Sequence, residues 1–184
     1  MSALRLARLI RRVGRIAEPA LPAPLPITLP APLPADPPTD PPTDGRALPS
    51  ELPSELRGSV QVRHVDAGSC NGCEIEVGAA FGPVYDAERY GARLVASPRH
   101  ADAVLVTGVV TRNMAEPLRR TVEATPRPRV VLAVGDCAVD CGLFARGHAV
   151  VGPASSVVDV DLEVRGCPPE PEQIVAALRR VTGR

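Results

Sequence analysis

The 184-residue chain predicts an α/β domain with a largely parallel sheet, on three observations. Strand-like segments alternate with helix-like ones from about Ser59 to the end, the pattern of strand–helix–strand units. Two of the strand-like segments, "ADAVLVTGVV" and "RVVLAVG", are almost wholly apolar, as strands covered on both faces are. The length, finally, holds one well-cored domain and hardly two.

The elements follow in chain order. Residues 4–17, "LRLARLIRRVGRIA", place Arg5, Arg8, Arg12 and Arg15 on one helical face and Leu6, Leu9, Ile10 and Val13 opposite. Residues 1–17 therefore predict a basic amphipathic helix that docks on a partner protein or an anionic membrane surface. Residues 18–56 predict a mobile, extended linker. Thirteen of the 22 prolines fall between Pro19 and Pro53, and each removes a backbone donor and blocks helix continuation.

Residues 57–184 are expected to fold. "SVQVRHVDA" (59–67) reads as a strand, followed by a helix from about Cys73 to Phe81 that stops before Pro83. "ARLVAS" and "ADAVLVTGVV" are further strands. "RNMAEPLRRTVEAT" is a helix in which Pro117 is tolerable only in the first turn. "RVVLAVG" (129–135) is a buried strand and "VVDVDLEVRG" a half-buried one. "PEPEQIVAALRRVTG" closes the chain as a helix, with acids first and arginines last as its dipole favours.

Composition narrows the function. Formal net charge is zero, so nothing in the total points to nucleic acid. The 21 basic residues are all Arg, which with abundant Ala, Val and Pro reads as coding bias and lowers the weight of any one Arg. Five cysteines are an odd number with no signal peptide ahead of them, which points to metal or redox chemistry in a reducing compartment rather than a disulfide framework. The Arg11–Arg12 pair resembles a twin-arginine export signal, but Arg15 and a proline series stand where an apolar segment belongs. No run of about 18 apolar residues offers a membrane span.

The cysteines lie beyond predicted strand ends. Cys70 and Cys73 follow the first strand, Cys137 follows "VVLAVGD", and Cys167 follows "DLEVRG". Functional loops of open parallel sheets collect at the carboxyl ends of the strands, so four thiols distant in sequence are expected to converge there. Zinc accepts four thiolates, but structural zinc sites usually pair two local C-x2-C knuckles, and only Cys70–Cys73 has that form. Iron–sulfur clusters accept dispersed ligands and often end on Cys-Pro, as at Cys167, with amides near Gly68, Gly72 and Gly135 available to the sulfurs. A thioredoxin-like pair leaves the other cysteines unexplained. A flavin-phosphate loop is disfavoured because cysteines occupy its place. Chemistry alone favours a cluster and leaves zinc open.

"VDAGSCNGCEIEV", "DAERYG", "ASPRHADAVLVTGVVTRNM", "GDCAVDCGLF" and "VRGCPPEPE", in order from about Val60 to Leu178, resemble a known family. It is the small, cluster-carrying subunit shared by membrane-bound nickel–iron hydrogenases and respiratory NADH:quinone oxidoreductase, where it is the 20 kDa subunit. The resemblance implies a flavodoxin-like domain holding one 4Fe–4S cluster on Cys70, Cys73, Cys137 and Cys167. It implies an electron relay between a hydrogenase-type large subunit and a ferredoxin-like iron–sulfur partner, beside membrane subunits of the same complex, on the cytoplasmic face of the cell membrane.

Cys70-Asn71-Gly72-Cys73-Glu74 is similar to the hydrogenase branch, because the quinone-reducing branch carries two adjacent cysteines. "SPRHAD" is similar to the formate-hydrogenlyase type. A quinone-oxidoreductase subunit is the alternative, and a zinc-stabilised assembly protein a more distant one. Ala67 stands where formate-hydrogenlyase-like relatives often carry an extra cysteine. Cys141 replaces an expected glycine, as a buried bystander, a neighbour of the site or an alternative ligand to Cys137. Glu170 stands where the quinone branch tends to have Arg. Glu74 and Glu76 suit the start of a helix; the resemblance adds for Glu74 a part in proton movement or at the interface between subunits. Arg99 and His100 are read as able to bond the cluster surroundings or the partner, His100 by itself more as a surface or interface histidine, and His64 and His148 carry no assigned role.

Overall fold

The computed structural model describes residues 53–184, so the expected helix of residues 1–17 and nearly all of the linker, 18–52, lie outside the described residues. Five strands form one sheet: β1 (Val60–Asp66), β2 (Ala92–Leu94), β3 (Ala103–Thr107), β5 (Val130–Val134) and β7 (Leu162–Val164). Their order is β2-β1-β3-β5-β7 and every pairing is parallel. Chain order thus runs outward from β1 in one direction and back past it in the other, the 2-1-3-4-5 order of flavodoxin-like sheets. The edges are the two three-residue strands, β2 and β7.

Helices cover both faces. On one pack α1 (Gly72–Ala80) and α4 (Pro171–Thr182), around a core that includes Val60, Val62, Leu105, Leu132, Val134, Ile174 and Leu178. On the other, α2 (Arg112–Ala124) and α3 (Asp136–Asp140) cover Val65, Val104, Val106, Val131 and Ala133 with Leu118, Val122 and Ala138. All five residues of β3 and all five of β5 are buried, which explains why both read as unbroken apolar runs. Leu118 and Val122 are the two buried residues of α2, one turn apart; truncating Leu118 to Ala would cost about 2–5 kcal/mol.

Local signals set the ends of the helices. In α1 the buried positions are Cys73, Val77 and Ala80, one stripe at helical spacing, and the helix stops just before Gly82-Pro83. In α4, Pro171 takes the first position and Glu170 and Gln173 form a reciprocal capping box, while Arg179 and Arg180 fall in the last turn.

The structure departs from expectation in four places. Pro117 lies in the second turn of α2 rather than the first. It is exposed, as is Asn113, whose carbonyl loses its helical donor, so water can take that bond. "VVDVDLEVRG" is extended as a ladder strand only over Leu162–Val164. A short β6 (Val150–Gly152), not foreseen, pairs antiparallel with β4 (Val110–Thr111). Leu56, assigned to the linker, is buried in the core, so packed chain begins slightly earlier than residue 57.

Candidate functional site

Three strands deliver the cysteines to one edge. β1 runs into the loop carrying Cys70 and Cys73, β5 into Cys137 in the first turn of α3, and β7 into Cys167. In the sheet β1 and β5 flank β3, and β7 lies beside β5, so the three loops are neighbours at the carboxyl ends. The Cys167–Pro168 peptide is cis.

Side-chain placement shows the loops meeting. A Cβ added at Gly135 would stand 2.5 Å from Cys73 Sγ, and one at Gly72 would stand 3.6 Å from Cys70 Sγ and 3.8 Å from Pro168. Gly135 is therefore the clearance that lets the β5 turn pass against the Cys73 sulfur, and its φ of +91° with ψ of 150° is a region only glycine enters readily.

Electrostatics links the same loops. Burial pushes the Cys73 thiol up to about 12, and Glu74 and then Cys137, Cys70 and Cys167 push in the same direction. Burial raises Cys137 as well, followed by Cys167, Cys70 and Asp136. Cys141 is raised by burial and then Asp140, with no contribution from another cysteine. Cys141 is buried at a left-handed turn position with φ of +71°, its N–H donating to the Cys137 carbonyl at 3.1 Å.

Reactive redox thiols sit where positive charge lowers their pKa. For Cys73 and Cys137 burial outweighs any such effect and moves both thiols the opposite way. Among the described residues no group of three or more His, Cys, Asp or Glu side chains closes around a point to hold one metal ion. A cubane cluster is wider than a single ion and takes its thiolates at its corners. The donor set is all sulfur, as such clusters need.

Glu74 is held inward. Its carboxylate accepts hydrogen bonds from the hydroxyls of Ser69 and Thr107, and His64 Nε2 lies 3.7 Å from it and 2.9 Å from Thr107 Oγ1. Ser69 Oγ in turn accepts the Asn71 N–H at 2.9 Å, and Asp66 Oδ1 accepts those of Gly68 and Ser69. Glu74 thus ties the Cys70–Cys73 loop to the end of β3. Burial lowers the His64 pKa below its ordinary value, against the pull of Glu74 and Asp66.

His64 and Thr107 went unread in the sequence. The available signal was a polar residue near the carboxyl end of each of two strands otherwise rich in valine. Arg99 and His100 are exposed in the short turn that enters β3 at the opposite, amino edge of the sheet, so they do not join the cysteines. Ile75 beside Glu74, and Leu143 and Phe144 just past Cys141, are large apolar side chains left exposed on this side of the molecule.

A parallel five-stranded sheet covered by helices on both faces, with cysteine-bearing loops at its carboxyl edge, defines an α/β domain of flavodoxin-like order. The family described as "NADH ubiquinone oxidoreductase, 20 Kd subunit" matches residues 70–181, which spans the whole thiol group, and the chain belongs to that family.

A probable membrane-bound hydrogenase subunit of Pyrococcus furiosus is 48% identical over 114 residues, 62% of this chain and 68% of that one. Formate hydrogenlyase subunit 7 of Escherichia coli is 45% identical over 113 residues, 61% of this chain and 44% of that one. An NADH-quinone oxidoreductase subunit of Herpetosiphon aurantiacus is 44% identical over 104 residues, 56% of this chain and 58% of that one. Among solved structures, a chain of the archaeal membrane-bound sulfane sulfur reductase superposes with a TM-score of 0.61 at 28% identity, covering 70% of this chain and 71% of that one. No helix among the described residues is long and apolar enough to cross a membrane.

Proposed function

We propose that the chain is the electron-transfer subunit of a membrane-associated oxidoreductase complex, holding a single 4Fe–4S cluster on Cys70, Cys73, Cys137 and Cys167. The observation that supports this reading is the convergence of the loops bearing those four cysteines at the carboxyl edge of the sheet, where Gly135 passes against Cys73 Sγ and Gly72 lies against Cys70 Sγ and Pro168. Such a cluster, when bound, stores and passes one electron at a time.

The protein's own residues supply the setting. Cys73 is buried and Cys137 half-buried, which keeps water from that side, while Cys70 and Cys167 are exposed toward a partner. Ser69, Glu74 and Thr107 fix the first loop. Burial raises the Cys73 and Cys137 thiols, so giving their thiolates to an iron core would release protons.

On the large-subunit side the hydrogenase type is the favoured partner, with a ferredoxin-like subunit as the other electron partner and the cytoplasmic membrane face as the location. Cys73 followed directly by Glu74, with a non-cysteine at position 72, supports this over the quinone-reducing alternative. Exposed Ile75, Leu143 and Phe144 suit burial under that large subunit.

Anaerobic purification should give about four irons and four labile sulfides per chain and a reducible EPR signal that Cys70→Ser abolishes. Zinc without sulfide would overturn the assignment. Nickel in a co-purified large subunit supports the hydrogenase type, and bound quinone without nickel reverses it.

A further inference from the structure

We propose that Asp136 is a positioning residue that locks the turn bearing Cys137 to the turn bearing Cys167, presenting two thiols from different strands as one pair. The inference rests on the cluster reading above and deepens it. The β5–β7 ladder ends at Val134 opposite Val164. Gly135 N–H then donates to the Val164 carbonyl at 2.7 Å, one step past the ladder. Asp136 adds the next step in both directions. Its own N–H donates to the Gly166 carbonyl at 2.9 Å, and its Oδ1 accepts the Gly166 N–H at 3.0 Å.

One residue therefore satisfies both backbone groups of Gly166. Each end of the bridge is one residue from a thiol, Cys137 on one side and Cys167 on the other. Gly166 needs such help. At φ of +135° a side chain there would meet Pro169 Cα at 2.5 Å, so the turn has no side chain of its own with which to fix itself.

A second link lies outside the first. Arg165 Nη1 donates to Asp140 Oδ2 at 3.0 Å, and Asp140 Oδ1 accepts the Gly142 N–H at 2.9 Å. Both side chains of that pair are about half exposed, 47% and 51%. Exposed ion pairs contribute little to stability, whereas Asp136 is only partly exposed and bonds backbone directly. The inner bridge is the one that places the thiols, and the outer pair follows it.

The test uses the full chain, reconstituted anaerobically with iron and sulfide, and reads iron retained against a chelator together with the EPR line shape. D136A should lose iron about 10-fold faster than wild type, the scale seen when a group supporting a metal ligand is removed, with the EPR signal of the reduced cluster shifted in line shape and fading in step. D136N keeps an acceptor oxygen at the same place and should recover most of the retention. D140A should behave as wild type.

Far-ultraviolet circular dichroism of the empty chains reports folding. If D136A fails to fold, D136S, polar at the helix start but too short to reach the Gly166 N–H, takes its place. Equal retention in wild type and D136A overturns the proposal, as does D136N losing iron as fast as D136A, or D140A losing it as fast. A wild-type chain that takes up no iron refutes the cluster reading and this proposal with it. A wild type that loads and a D136A that retains iron equally well refute this proposal alone.

Discussion

Replacing Gly135 by alanine tests whether the gathering of the thiols depends on clearance at one backbone position. The new methyl would lie 2.5 Å from Cys73 Sγ, so the sulfur or the turn must retreat by roughly 1 Å to reach ordinary contact. The backbone, at φ of +91° and ψ of 150°, adds a strain of about 1–3 kcal/mol for any residue with a Cβ. Cys73 is buried against the core and cannot swing to solvent, so the displacement falls on the ligand geometry.

The expected result is loss of most of the iron on anaerobic reconstitution, together with a fall of about 1 M in the urea midpoint of the empty chain. Gly78→Ala is the matched comparison. A Cβ there meets nothing within 4 Å, and in mid-helix the change should stabilise by about 0.5–1 kcal/mol and leave iron content unchanged. If G135A binds iron like wild type and unfolds at the same urea concentration, the clearance argument is wrong.

Further perturbations address the surroundings. Cys141→Gly relieves a left-handed non-glycine position, worth about 1 kcal/mol, and gives up the packing of a small buried thiol; iron content should stay at the wild-type value, and a large loss would make Cys141 a ligand. Thr107→Val keeps the shape of a fully buried side chain but removes a donor from Glu74, and should cost about 1–3 kcal/mol in urea unfolding. A change below the error of that measurement would show that Glu74 does not depend on it. His64 is held below its ordinary value of 6.5 by burial, so the unfolded chain binds the proton more readily than the folded one. Stability should be fully present above pH 6.5 and fall as pH drops toward the folded pKa, and His64→Gln should flatten that slope; an unchanged slope refutes the role.

The parts of this molecule legible in its sequence are those encoded locally. β3 and β5 announce themselves as unbroken valine-rich runs, and each site cysteine follows a strand within a few residues, so the rule about carboxyl edges places them together. Pairings between distant segments were not legible. Thr107 lies 33 residues from Glu74 and Gly166 lies 30 from Asp136, and nothing in either neighbourhood names its partner. The β4–β6 pair joins two strands of two and three residues, too short to show a period. "SPRHAD" reads as site-like by likeness alone, yet it feeds the amino end of β3, because the chain must cross under β1 before that strand can begin.

The two brief edge strands have a consequence for association. β2 offers only Ala92–Leu94 and β7 only Leu162–Val164, and the outward residues near them include Arg93 and Arg165, both exposed. Edges so short and charged are poor templates for another strand, so this sheet resists lateral polymerisation.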